Sequence, residues 1–425
     1  MADAGRRQAL ESVAQEDAVR RLDQLDPPDV LDAGALFFRP GRHGFRISDE
    51  IFVRSNKFLY CHMILTGLGC EGKQMPDGLS MTSHTQTMRA AVLGSYGEPL
   101  EVTSVPRPVA GPGQILVRLQ ACGVCHTDVH IWRGESIPLH APSPFVMGHE
   151  GIGRVEAIGE DVGGWSLGDR AGVPWIHDTC RRCDECLDGY ESFCQHHRAH
   201  GLNVPGAFAE YVVCDASFAV ALPEAIDPVT TAPVMCAGVT AYGAVKRAGL
   251  KAGEKCIVFG CGGLGLYAVQ IAGRLGVSVF AVDRDPAKLE IARRYGAVET
   301  EIADSGLPSR LAAKSEKYHA CINFAPTTAT WDAMVAGIRP RGRIIAAAMV
   351  FQPVPLIQEW LTATGVLITG TSVGTRQEMR ELVAMHADKP LETTVEVIAL
   401  EDVSAGLVAL ERGQSKGRYV ISFAR

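Results

Sequence analysis

Four cysteines fall at Cys180, Cys183, Cys186 and Cys194, in the spacing C-x2-C-x2-C-x7-C. Four thiolates this close in sequence are the number that closes a tetrahedral zinc site. A metal enclosed by four protein ligands keeps no position for substrate, so this site is expected to be structural. A second set is scattered along the chain. Cys125 opens Cys-His-Thr-Asp-Val-His, His149 sits in Gly148-His149-Glu150, and Cys236 lies in Met-Cys-Ala-Gly-Val-Thr. Taken singly, each of these is more often inert, a lone buried Cys behaving as a small hydrophobe. Together, two thiolates and one imidazole make a three-ligand zinc site with one position open for chemistry.

A third feature is made for phosphate. Gly260-Cys261-Gly262-Gly263-Leu264-Gly265 fits G-x-G-x-x-G between an expected strand and an expected helix. Glycines there permit a tight turn and close backbone approach to a pyrophosphate, whose charge the helix N-terminus favours. Asp283 ends the next expected strand. A carboxylate at that place accepts from both ribose hydroxyls and repels a 2′-phosphate, which favours NAD over NADP, although the adjacent Arg284 is able to meet a phosphate.

The elements that must carry these groups divide into three stretches. Residues 1–80 are irregular: Leu10, Ala14, Ala18 and Leu22 recur at helical spacing until Asp26-Pro27-Pro28, and Cys61 and Cys70 are isolated. From Met88, short strands are expected at Met88–Tyr96, Gln114–Gln120 and Gly153–Ile158 between Gly/Pro punctuation. From Lys255 the rhythm becomes strand–helix–strand. Strands are expected at Cys256–Phe259, Val277–Val282, His319–Phe324, Gly342–Met349 and Val366–Gly370, and helices at Leu264–Leu275 and Pro286–Tyr295. That alternation implies a doubly wound parallel sheet.

Composition narrows the function. In 425 residues, 47% are hydrophobic, 21% are charged and the net charge is −7, with no basic run, so nucleic acid is not an expected partner. The longest apolar stretch near the N-terminus, Phe58–Leu68, is too short to span a bilayer and is broken by His62. Thirteen clustered cysteines read as metal ligands in a reducing compartment, so a cytoplasmic location is expected.

These motifs together resemble the zinc-dependent medium-chain alcohol dehydrogenases, most closely the bacterial and yeast type, from about Met88 to Arg425. Gly148-His149-Glu150-x-x-Gly153-x5-Gly159 fits that family's zinc signature, and the cysteine lobe fits its spacing without gaps. The Cys2His set is the one already known for alcohol dehydrogenases, so it is matched here rather than discovered. The resemblance implies a GroES-like, β-rich catalytic domain (81–235 and 371–425, with the zinc lobe) around a Rossmann NAD-binding domain (236–370). Residues 1–80 have no counterpart; they are expected to be disordered or to reflect a start placed upstream of Met81 or Met88.

By the same resemblance, Cys125, His149 and Cys236 bind the catalytic zinc, with Glu150 as an occasional fourth ligand and Asp128 orienting a ligand. His126 contacts the pyrophosphate, Thr127 takes the substrate proton and His130 passes it to solvent. Thr240 packs on the nicotinamide, and Lys288 reaches the adenosine ribose. Arg376 and Arg418 approach the cofactor. Trp132 and Trp175 narrow the substrate channel, which favours small primary alcohols and aldehydes. Zinc in an open site is a Lewis acid that can lower the pKa of bound water from about 15.7 to about 7. Where the family carries Val-Gly after the strand at Gly342, this chain has Ala347-Ala348, which puts the nicotinamide contact at the second position in question. The resemblance also implies two zinc ions per chain and a homotetramer. A polyol or a thiol adduct of formaldehyde is the alternative substrate.

Overall fold

Strand Gln114–Gly123 organises the β-rich part of the protein. Ile115, Val117 and Leu119 project into one apolar cluster while Ala121 reaches another, so nearly every position is covered and the strand runs long. It pairs antiparallel with Gly151–Ile158 on one side, and with Tyr211–Asp215 and then Arg418–Ser422 on the other. Arg170–Val173, Val220–Ala221 and Val395–Ile398 complete a seven-stranded sheet. The structure is a computed structural model that describes residues 86–135, 144–415 and 417–423. The readings for residues 1–80 lie outside these.

The second sheet is parallel throughout. Its order is Glu299–Ile302, Ser278–Asp283, Lys255–Phe259, Tyr318–Asn323, Ile338–Ala346 and Leu367–Gly370. Chain order therefore reverses between Lys255–Phe259 and Tyr318–Asn323. In doubly wound sheets a ligand crevice opens at that reversal, beyond the strand C-termini. Helix Gly263–Arg274 leaves the first of these strands and buries Tyr267, Val269 and Ile271.

The expected strands are all present, with shifted ends. Gly342–Met349 instead runs Ile338–Ala346: the pairing is irregular near Tyr318, and the Ala347 and Ala348 amides both turn back onto the Asn323 carbonyl, which ends the strand. Glu299–Ile302 was not expected. Two of its four residues are Glu, and an edge strand half open to water leaves no apolar alternation to read. No helix among the described residues is long and apolar enough to cross a membrane.

Buried histidines make the fold acid-sensitive. His386 is 4% exposed; its Nδ1 accepts from the Leu391 amide at 3.1 Å and its Nε2 lies 3.1 Å from Thr231 Oγ1, a pairing that requires the neutral ring. Burial and then Arg274 lower its pKa from 6.5 to about 4, and burial and then His177 take His200 to about 3. Between 6.5 and those values the unfolded chain binds protons the folded chain refuses, so stability falls as pH drops through that window. The expected loss at His386 is roughly 1 kcal/mol per pH unit. Thermal midpoints from pH 7 to 4.5 should fall less steeply for His386→Gln; an identical slope would refute the assignment.

Candidate active site

The pairing of Gln114–Gly123 with Gly151–Ile158 sets Cys122 opposite Gly151, so the residues just past this paired end, Cys125 and His149, emerge side by side. The Gly123 amide donates to the Glu150 carbonyl at 3.0 Å and ties the two together. Cys125 caps helix His126–Arg133, and Cys236 caps helix Ala237–Arg247. One ligand atom from each of Cys125, His149, Glu150 and Cys236 lies within 4.8 Å of the others, and all four residues are buried. Asp128, fully buried, accepts from the Cys125 amide at 2.8 Å and sits 3.2 Å from His149 Nδ1. One carboxylate thus orients two of the cluster's members.

The cluster's electrostatics fit a divalent cation. The hydrogen bond with Cys236 holds Cys125 well below the usual thiol pKa, while Cys236 is pushed well above it by the same contact and by burial. A bound metal would take both sulfurs as thiolates and release their protons. Buried His149 Nε2 has no hydrogen-bond partner, a cost that a metal bond would remove. Glu150 is raised to about 7 by burial, against the pull of Arg418, whose Nη2 contacts both of its oxygens at 2.5 and 2.6 Å.

The second set also meets. Cys180, Cys183, Cys186 and Cys194 place their sulfurs within 4.8 Å of one another. Cys180 Sγ is 3.6 Å from Cys194 Sγ and 4.0 Å from Cys186 Sγ. None of the four lines the main cleft, as a purely structural site requires.

That cleft holds about 1260 Å³ and runs from the Cys125–Cys236 cluster to the glycine turn. Gly260 has φ +86°, and a Cβ at Gly265 would stand 1.8 Å from the Gly260 carbonyl oxygen, so both must be glycine. A Cβ at Gly262 would meet nothing within 4 Å; that position is open toward the cleft. Asp283, 9% exposed, is fixed by accepting from the Cys261 amide at 2.7 Å and the Asp285 amide at 2.9 Å. His126, Thr127, His130, Trp175, Thr240, Gly263, Leu264, Lys288, Ala347 and Arg418 also line the cleft, and so does Arg284. The Trp175 ring stands edge-on to His149 at 4.8 Å between centroids.

Two families of known sequences match this chain. The alcohol dehydrogenase GroES-like domain matches residues 111–224, and the zinc-binding dehydrogenase domain matches residues 263–388. The alcohol dehydrogenase of Geobacillus stearothermophilus is 36% identical over 337 residues, which are 79% of this chain and 99% of that protein. The chain belongs to the zinc-dependent medium-chain alcohol dehydrogenases. Among solved structures of similar fold is the cobalt- and zinc-bound thermostable alcohol dehydrogenase from Pyrobaculum aerophilum (29% identity, TM-score 0.71, 79% of this chain and all of that one). Another is the acetophenone reductase from Geotrichum candidum in complex with NAD (28% identity, TM-score 0.71, 79% and 97%).

In this member of the family, two expected site residues fall elsewhere. Trp132 is 3% exposed and packs in the β-rich core, with its Nε1 donating to the Glu98 carbonyl at 2.6 Å. It is no part of the cleft wall: helix His126–Arg133 turns it to the side opposite Thr127 and His130, leaving Trp175, of the two, on that wall. Arg376 is likewise absent from the wall. Its backbone N and Nε both donate to the buried carboxylate of Glu191, which holds it beside the cysteine lobe. One partner was missed. Glu135 Oε2 lies 2.9 Å from His130 Nδ1, brought there by Gly134 closing the helix in the left-handed conformation. The sequence signal, an acid just past the helix-ending glycine, is weak.

Proposed function

We propose that this alcohol dehydrogenase interconverts small primary alcohols and their aldehydes with hydride transfer to or from NAD, holding one catalytic and one structural zinc. The observation that carries this is the opening of the Cys125/His149/Cys236 cluster onto the cleft that contains the glycine turn and Asp283. Zinc held by those three residues would supply Lewis-acid polarisation of the substrate oxygen.

The chain's own groups do the rest. Thr127 stands at the start of its helix on the cleft wall, where it can accept the substrate proton. With His130 Nδ1 donating to Glu135, its Nε2 is left to receive that proton and pass it outward. Thr240, on the cleft wall with its Oγ1 donating to the Cys236 carbonyl at 2.7 Å, is placed to pack on the nicotinamide. Asp283 supports NAD as the dinucleotide, since its fixed carboxylate repels a 2′-phosphate. Cysteines clustered as metal ligands, at Cys180, Cys183, Cys186 and Cys194 and at Cys125 and Cys236, support a reducing, cytoplasmic setting.

Steady-state turnover of ethanol, hexanol, benzyl alcohol, sorbitol and S-hydroxymethylglutathione with NAD and NADP tests the reading. The primary alcohols with NAD should dominate; turnover confined to sorbitol or the thiol adduct would overturn it. Trp175→Ala should raise the hexanol-to-ethanol ratio of kcat/KM by about tenfold; an unchanged ratio would remove Trp175 as the channel's limiter.

We also infer a homotetramer. Edge strand Leu367–Gly370 has one unpaired backbone side and exposes Leu367 and Ile368, as do Leu356 and Ile357 before it. Leu367→Asp should shift the species seen by light scattering to a smaller mass; an unshifted tetramer would exclude this edge from the assembly.

A further inference from the structure

Glu191 lies within the cysteine lobe, on the turn Glu191–Phe193 that leads into Cys194, and is 4% exposed. A carboxylate buried to that degree needs strong partners. Its Oε1 accepts from the Arg376 backbone N at 2.9 Å and from Arg376 Nε at 3.1 Å. Arg376 is the first residue of helix Arg376–Asp388, so Glu191 adds negative charge to an N-terminus already capped by Thr375 and Glu378. The lobe grips the same region a second time. Arg247, paired with Glu378 at 3.2 Å, lies 5.3 Å from the Phe193 ring centroid and 5.9 Å from that of Tyr190.

Just upstream, Thr371, Ser372 and Val373 form part of the cleft wall. Val373 has φ +39°, a strained conformation that a β-branched residue adopts only where its surroundings impose it. The surroundings do so on both sides. A Cβ at Gly374 would stand 2.4 Å from Val239 Cγ2, so the chain is pressed onto the helix that begins at Cys236, and two residues later Glu191 holds Arg376. This wall therefore adjoins the helix that follows Cys236, a member of the metal cluster.

We propose that Glu191 and Arg376 form a positioning latch, through which the cysteine lobe holds the Thr371–Val373 wall in the conformation that receives the nicotinamide end of the dinucleotide. This rests on the dinucleotide reading given above. Both residues stand outside the cleft wall and act through Val373. The lobe is then a part of the cofactor site by mechanical connection.

Fluorescence titration with NADH and calorimetry with ADP-ribose, which lacks the nicotinamide, test the latch on the full chain, with zinc content measured alongside. Glu191→Ala and Arg376→Ala should each weaken NADH about tenfold, leave ADP-ribose within about twofold and retain two zinc ions. The double variant should be no worse than either single one. Glu191→Gln, which keeps an acceptor for the Arg376 amide, should recover most of the affinity and also covers the case in which the Ala variants fail to fold. Unchanged NADH affinity in zinc-replete Ala variants would overturn the latch. Equal losses for NADH and ADP-ribose would overturn it too, as general loosening. Wild-type protein that bound neither ligand would overturn the dinucleotide reading itself.

Discussion

Replacing Cys125 by Ser is expected to lower alcohol turnover by about 10³- to 10⁴-fold while the protein keeps its fold and one zinc per chain. The magnitude follows from what the cluster is built to hold. Lewis-acid stabilisation by a metal contributes several kcal/mol to the transition state, and each 1.36 kcal/mol is about tenfold in rate. Cys125 is the thiol that the site already favours as thiolate, and its backbone amide is fixed by Asp128. Removing its sulfur leaves His149 and Cys236 as the two remaining members of the set, too few for a three-ligand site. The fold should survive, because the β-strands on either side are held by their own backbone pairing and by the apolar cluster they bury. Metal analysis, the thermal midpoint and NADH affinity separate loss of chemistry from loss of structure. Asp128→Asn, which weakens orientation without removing a ligand, should cost a smaller factor, about 10- to 100-fold. Cys125→Ser with near-normal turnover and two zinc ions would refute the assignment of the catalytic centre.

The opposite pattern is expected at the other cluster. Cys183→Ser should leave one zinc per chain, lower the thermal midpoint by about 10 °C or more, and spare kcat at saturating NAD to within about twofold. Structural zinc contributes roughly 10–16 kcal/mol in isolated peptides, on the scale of a whole protein's net stability of roughly 5–15 kcal/mol. The lobe's secondary structure is slight, one short helix at Asp184–Leu187 and the turn at Glu191–Phe193, with none of the helix's residues buried. Its one short helix is unburied and its outside contacts are confined to a few side chains such as Glu191 and Phe193, so the metal on the four sulfurs should carry most of its order. A midpoint unchanged by Cys183→Ser, with one zinc lost, would show that the lobe is held by its contacts with Arg376 and Arg247 instead.

The chemistry was legible where spacing is imposed by coordination or by phosphate. Cysteines two residues apart can hardly avoid one another, and Gly260 and Gly265 each answer a local steric demand, while Gly262 is left open toward the cleft. Cys125, His149 and Cys236 were legible for a different reason: three marked settings that together match a known pattern, although nothing local shows that the sheet register brings them together. The misplacements share one cause. Trp132 and Arg376 follow conspicuous motifs, but the direction a side chain takes depends on which face of a helix is covered and on which charge lies buried across the chain. Glu98 and Glu191, the residues that decide those two cases, are distant in sequence and carry no motif. Glu299–Ile302 was invisible because an edge strand of alternating Glu needs only backbone partners.

Arg418 reaches Glu150 across 268 residues and lies on the strand that closes against Gln114–Gly123. At a synthesis rate of about 5–20 residues per second, the ribosome supplies it some tens of seconds after Glu150. Until then Glu150 lacks its guanidinium partner and the Ala121–Gly123 end of the central strand has an unpaired edge. The pocket is thus completed late in the synthesis of each chain, and until then the open strand edge is one along which another chain could pair.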